Sequence, residues 1–218
     1  MDNVNPWRQL PHEVYEKHMG HEHVRQLEML SRIFRDQLAL VAEIEKPVIA
    51  ILGITGGNGL ENIQAGRCGS IIGIDINEEY LTICRECYAY LPELELHQID
   101  LMTEKDRAVG MLKHVDLVTA NLLVKHVHLN NFVDIIGKLD KPIVSVTIQF
   151  NPDGQSLSHS GYEAAFEEIQ THGENHDEAA LTTAMLDAGY CMIGREEYLL
   201  PNEKVFIRLD YKRNEVEK

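Results

Sequence analysis

From residue 47 onward the hydrophobic pattern alternates short, uninterrupted apolar runs with amphipathic stretches. Val48-Ile49-Ala50-Ile51-Leu52, bounded by Pro47 and Gly53, predicts a strand buried on both faces. Ser70-Ile71-Ile72-Gly73-Ile74 predicts a second strand, Glu93 to Ile99 a third, Val115 to Ala120 a fourth and Pro142 to Gln149 a fifth. Between the first two, Leu60-Glu61-Asn62-Ile63 opens a helix. Asn77 caps another over Glu78 to Tyr90, which Pro92 stops, and Lys105 to Lys113 forms a third. Lys125 to Lys138 is a polar, histidine-bearing loop or helix. Such alternation implies parallel strands joined by crossovers, with ligands collecting at the carboxyl ends of the strands.

The last third breaks the alternation. Asn151-Pro152-Asp153-Gly154 is a turn, Ser156 to Gly161 a polar loop and Tyr162 to Gln170 a helix. His172 to His176 is polar and expected at the surface, and Asp177 to Ala188 is a helix closed by Gly189. Tyr190 to Leu200 and Lys204 to Tyr211 then predict an antiparallel pair joined by Pro201-Asn202-Glu203. Ahead of residue 47, Tyr15 to Met19 is helical and ends at Gly20. Val24, Leu27, Leu30, Ile33, Phe34, Leu38 and Val41 recur at three and four residues, the stripe of a helix that packs on the core.

The chemistry gathers after the first strand. Gly53-Ile54-Thr55-Gly56-Gly57-Asn58-Gly59 lets the backbone turn tightly and approach a ligand without Cβ interference. Asp75 ends the second strand about 20 residues after Gly53, the spacing at which a carboxylate meets ribose hydroxyls while loop amides face the ligand. Asp100 and Asn121 end the third and fourth strands. Singly, each has a bland alternative: a glycine turn packs a helix on a sheet, Asp75 caps a helix, and Asp100 and Asn121 are turn residues. Together they favour a nucleoside site.

Composition narrows the field. A chain of 218 residues accommodates one substantial core. Its formal charge of −15 opposes non-specific nucleic-acid binding, which relies on Lys and Arg neutralising phosphates. No apolar run approaches the ~20 residues that cross a bilayer, and Asp2, Trp7 and Arg8 replace the apolar region of a signal peptide, so the expected location is the cytoplasm, with no membrane partner. Cys68, Cys84, Cys87 and Cys191 make no disulfide framework. The single Cys84-x-x-Cys87 has no second pair to complete a metal site.

The glycine loop, Gly73-Ile74-Asp75, Gln98-Ile99-Asp100-Leu101 and the closing hairpin together resemble the class I S-adenosylmethionine-dependent methyltransferases over roughly residues 47–212. The resemblance implies a doubly wound, mostly parallel seven-stranded α/β sheet with a C-terminal antiparallel hairpin, preceded by N-terminal helices. It divides the chain into a helical segment, 1–46, and a Rossmann-like domain, 47–218. It implies S-adenosylmethionine as cofactor and a small-molecule acceptor. Gly53, Thr55, Gly57 and Gly59 would pass its methionine part and ribose, Asp75 would hold the ribose hydroxyls and Ile76 the adenine face. Asp100 would accept from the adenine amino group beside Leu101, and Asn121 would lie near the methyl end. Two positions depart from the family: Ile51 stands where an acidic residue often anchors the cofactor's amino group, and Thr55 where the middle glycine falls.

Methyl transfer needs positioning and, for a protonated acceptor, a base. His126 and His128 follow strand four and His159 follows strand five, so these are the candidate bases, against eleven histidines in all. Tyr15, His18 and Met19 lie in a helix too short to be stable alone, and either fold over the cofactor as a lid or cover a sheet edge. Two other readings stay open: a non-catalytic nucleoside-binding protein that keeps the fold, and a nicotinamide-dependent oxidoreductase. Against the latter, a GxGxxG frame from Gly57 would put Asn62 where the helix must approach the strand.

Overall fold

The computed structural model describes residues 5–140, 142–152, 154, 157–174 and 177–214. Asp153, Ser156, Asn175 and His176, on which a turn and two polar stretches are expected, lie outside the described residues. Seven strands form one sheet: β1 Val48–Leu52, β2 Ser70–Asp75, β3 Leu94–Gln98, β4 Leu117–Asn121, β5 Ile143–Phe150, β6 Tyr190–Leu199 and β7 Val205–Arg213. Their order is β3-β2-β1-β4-β5-β7-β6, with the first five parallel and β7 antiparallel to both of its neighbours. This is the expected sheet, hairpin included. Order reverses at β1 and β4, so the carboxyl ends of these strands open a crevice.

The helices are α1 His12–Met19, α2 Gln26–Leu38, α3 Glu78–Cys87, α4 Lys105–Leu112, α5 Val124–Val127, α6 Leu129–Ile136, α7 Glu167–His172 and α8 Glu178–Asp187. Alternation along the strands sends one set of side chains to each face. Ala50, Leu52, Ile72, Ile74, Val118 and Ala120 meet α4, α6 and α8 through Leu112, Phe132, Ile136 and Met185. Ile49, Ile71 and Leu117 meet Phe34 of α2 and Leu81 and Cys84 of α3 on the other face.

One expectation fails. No α-helix joins β1 to β2: Leu60–Asn62 is a single 3-10 turn. Gly57 at φ 92° and Gly59 at φ 100° hold the backbone in the left-handed region, which an α-helix cannot use. The vacant place on the sheet is filled from elsewhere in the chain. Helix α2 lies against this turn so closely that a Cβ on Gly59 would come within 3.0 Å of Phe34. The N-terminal helices therefore supply the missing layer. Asparagines of the body hold them by their main chain: Asn58 Nδ2 donates to Leu27 O at 3.0 Å and Asn62 Nδ2 to Ser31 O at 3.2 Å.

Phe34 is 2% exposed at the centre of this contact. Phe34→Ala should cost about 3–5 kcal/mol in urea unfolding, the range for truncating a buried aromatic. A loss below about 1 kcal/mol would mean that α2 does not belong to the core.

Candidate functional site

The glycine turn is fixed by the end of β2. Gly53 N–H and Ile54 N–H donate to Ile74 O at 2.8 and 3.1 Å, and Thr55 N–H donates to an Asp75 carboxylate oxygen at 2.9 Å. These three of the loop amides are therefore already paired, and here the turn offers close approach of backbone instead. Thr55 takes φ 51°, a conformation costing a non-glycine residue about 1–2 kcal/mol. Its bond to Asp75 offsets part of that strain.

Asp75 is 8% exposed. Its second oxygen accepts the N–H of Asn77 at 2.9 Å. Asn77 Oδ1 in turn accepts from Glu79 N–H at 3.0 Å and caps α3, while its Nδ2 donates to Trp7 O at 2.9 Å and Leu10 O at 3.0 Å. One carboxylate thus ties together the turn, the start of α3 and, through Asn77, the N-terminal segment. Burial raises the pKa of Asp75 above the usual aspartate value, only partly offset by these amides. Each oxygen retains room for a further donor.

Beside it, Asp100 is also 8% exposed and accepts from Met102 N–H at 2.9 Å. Arg8 reaches it at 3.6 Å from the N-terminal segment. Between these carboxylates and the later loops lies a cavity of about 240 Å³. Of the residues singled out in the sequence, Gly53, Thr55, Asp75, Ile76, Asp100, Leu101, Asn121, Tyr15, His18, Met19 and His126 line it.

Four do not. Gly57 and Gly59 turn away from the cavity, and Cβ atoms there would strike Tyr88 at 2.6 Å and Phe34 at 3.0 Å. These glycines make room for packing. His128 has φ 65° between α5 and α6 and points to Glu174, with Nδ1 3.3 Å from its carboxylate. The side chain of His159 is 90% exposed beside Glu163. His172, expected at the surface, is half-buried, with its ring 6.5 Å from that of His128.

His126 does reach the cavity, in edge contact with Trp7 at 4.8 Å between ring centroids. Burial, then Lys125 and His172, press its pKa well below the ordinary histidine value. Its Nδ1 is buried without a hydrogen-bond partner. Asn121 is tied down by an amide pair: Gln37 Nε2 donates to its Oδ1 at 2.9 Å, its Nδ2 donates to Gln37 Oε1 at 3.1 Å, and Thr147 Oγ1 adds a bond at 2.7 Å.

On the N-terminal side, Tyr15, His18 and Met19 are the buried face of α1. Tyr15 hydrogen-bonds Thr55, and burial raises its pKa far above the ordinary tyrosine value. Trp7, Gln26, Lys125 and Gln149 also line the cavity and were not singled out. The one tryptophan of the chain, in Asn5-Pro6-Trp7, was the available signal for the first of these. Among the described residues, no cluster of His, Cys, Asp and Glu could hold a metal ion, and no helix is long and apolar enough to cross a membrane.

No family model matches the chain, and no curated protein matches it. Solved structures do. Magnesium protoporphyrin IX methyltransferase from Synechocystis PCC 6803, with S-adenosylhomocysteine bound, superposes with a TM-score of 0.68 at 14% identity, over 95% of this chain and 96% of that one. The N-methyltransferase NodS from Bradyrhizobium japonicum WM9, in complex with S-adenosylhomocysteine, gives 0.66 at 11% identity, over 97% and 100%. The [4+2]-cyclase SpnF gives 0.63 at 10% identity, over 87% and 82%. The protein therefore has the class I S-adenosylmethionine-dependent methyltransferase fold.

A raised pKa at Asp75 carries a sign. Its charged form is the one disfavoured by folding, so its contribution to stability is full below the unfolded aspartate pKa and is lost as pH rises through the folded one. A carbon-detected NMR titration should find the Asp75 carboxyl midpoint above 3.8, the ordinary value. A midpoint below it would mean that the backbone amides of Asn77, Thr55 and Ile76 outweigh burial.

Proposed function

We propose that the protein is an S-adenosylmethionine-dependent methyltransferase acting on a small-molecule acceptor. The observation that carries this reading is the pair of buried carboxylates, Asp75 and Asp100, at the ends of adjacent strands, lining one cavity with Ile76 and Leu101 beside them. Two acceptors a strand apart with apolar neighbours match a nucleoside: hydroxyls on one side, a flat base and its amino group on the other. Bound there, the cofactor supplies a methyl group on a sulfonium, with a neutral leaving group.

The chain's residues then have distinct tasks. Asp75 accepts from the ribose hydroxyls, Ile76 and Leu101 flank the adenine, and Asp100 accepts from its amino group. The backbone from Gly53 to Thr55 passes the methionine part, and Asn121, held by Gln37 and Thr147, lies toward the methyl end. Tyr15, His18 and Met19 cover the cavity from α1, and within the segment 1–46 it is α1 and the residues before it that act as a lid and must part for entry. Trp7 and His126 wall the cavity together, and His126, its pKa pressed down by burial, contributes an uncharged surface there. The acid-to-isoleucine change at Ile51 leaves the cofactor's amino group to neutral acceptors.

A second reading, a protein that binds the cofactor without transferring its methyl group, is favoured by the isoleucine at position 51, and the fold is shared by a [4+2]-cyclase, an activity other than methyl transfer. Calorimetry with S-adenosylmethionine and S-adenosylhomocysteine comes first. Both should bind saturably, and Asp75→Asn, folded by circular dichroism, should weaken binding about 10- to 100-fold, the loss of one or two charge-assisted bonds. Unchanged affinity in that variant would remove Asp75 from the site. Tritiated-methyl transfer to an acceptor separates enzyme from binder.

A further inference from the structure

Among the described residues, one histidine besides His126 lines the cavity. His18 is 3% exposed and lines the cavity from α1. Its Nδ1 lies 2.6 Å from Ser160 Oγ, and its ring packs against Phe166 with centroids 4.4 Å apart. Ser160 is itself fixed: its Oγ accepts from Tyr162 N–H at 3.2 Å, and its own N–H donates to Glu163 at 2.6 Å. Among the described residues Nε2 of His18 has no hydrogen-bond partner, and it is not among the unpaired atoms sealed from solvent. One nitrogen is thus clamped and the other is not sealed from solvent.

The surroundings say what can approach it. Leu157, Phe166 and Ile169 supply apolar and aromatic surface, with the amides of Gln26 and Gln149 as neutral polar partners. Lys125, the single Lys or Arg among the lining residues, is on α5 next to His126. Lys204, whose charge is felt at His18, is not among the described residues that line the cavity, so the lining offers an anionic acceptor no cation besides Lys125.

Resting on the methyltransferase reading, we propose that His18 Nε2 is the proton acceptor of the reaction, held by Ser160, for an uncharged aromatic acceptor carrying an O–H or N–H nucleophile. The bond formed is between that oxygen or nitrogen and the methyl carbon. The bond broken is methyl carbon to sulfur, whose electron pair stays on sulfur. The acceptor's proton moves to Nε2 and leaves later to solvent. The role needs the tautomer with the proton on Nδ1, which donates to Ser160 Oγ. Burial lowers the His18 pKa, opposed by Glu163 and supported by Lys204 and His21, so the ring is neutral and able to accept at neutral pH.

The test uses the whole protein with tritiated-methyl S-adenosylmethionine and four probes: catechol, benzimidazole, thiophenol and benzoate. Transfer should reach catechol or benzimidazole and not benzoate, and the rate should rise through a midpoint below 6.5 and stay flat above it. His18→Gln should lower kcat about 100-fold or more, with S-adenosylhomocysteine affinity within about 2-fold. Ser160→Ala should lower kcat, and Ser160→Thr should restore it. Wild-type kcat in His18→Gln, preference for benzoate, or binding of S-adenosylhomocysteine without transfer to any probe would overturn this inference alone. No binding of S-adenosylhomocysteine by the parent protein would overturn the methyltransferase reading as well.

Discussion

The buried carboxylate of Asp75 is the knot on which the rest of the site hangs. It accepts Thr55 N–H on one oxygen and Asn77 N–H on the other, and Asn77 reaches on to the carbonyls of Trp7 and Leu10. Without that anion the turn after β1 would lose the bond that offsets Thr55's left-handed backbone, and α3 would lose the support of its cap. Burying a carboxylate is costly, as its raised pKa registers, and the amides only partly compensate. A fold that keeps a group in this condition gains something from it, and a ligand with hydroxyl donors would complete its coordination.

A second constraint concerns the missing helix between β1 and β2. With that connection reduced to glycine turns, one face of the sheet has to be covered by the N-terminal helices, so the segment that covers the cavity is also part of the core. Helix α2 carries Phe34 into the apolar layer and Gln37 into a buried polar chain beside it. From Gln37 that chain runs through Ser145 to Asp210, with Ser145 Oγ donating at 2.6 Å, and on through Arg208 to the hydroxyl of Tyr198. A neutral bond in it is worth about 1 kcal/mol net and one to Asp210 or Arg208 about 1.5–3 kcal/mol, yet leaving a partner buried and unpaired costs as much or more. Helix α2 is therefore bound in place, and the freedom to admit a ligand belongs to α1 and the residues before it.

The central strands were legible in the sequence because burial on both faces writes each as an apolar run, and β3 because it alternates polar and apolar residues. The hairpin was legible from its patterned strands and its short connection. Asn77 as a cap and Asp75 as the end of β2 were also readable, since both are local. What the sequence concealed was long-range. The apolar stripe from Val24 to Val41 announced a packed helix but not that it replaces one absent after β1. Gly57 and Gly59 read as ligand-facing because glycine spacing records only that Cβ is unwelcome, and here the unwelcoming neighbours are Tyr88 and Phe34. His126, His128 and His159 follow strands alike in sequence, whereas a single φ of 65° at His128 turns it out of the cavity. His18 entered as part of a cover, and its pairing with Ser160, far along the chain, could not be read from spacing.

The most direct test of the account is a crystal structure of the protein grown with S-adenosylhomocysteine. The account predicts the ribose hydroxyls within hydrogen-bond distance of both Asp75 oxygens, the adenine between Ile76 and Leu101 with its amino group on Asp100, and the sulfur on the side of the cavity toward His18. A ligand seated elsewhere, or a ribose that leaves Asp75 bonded only to Thr55 and Asn77, would contradict it.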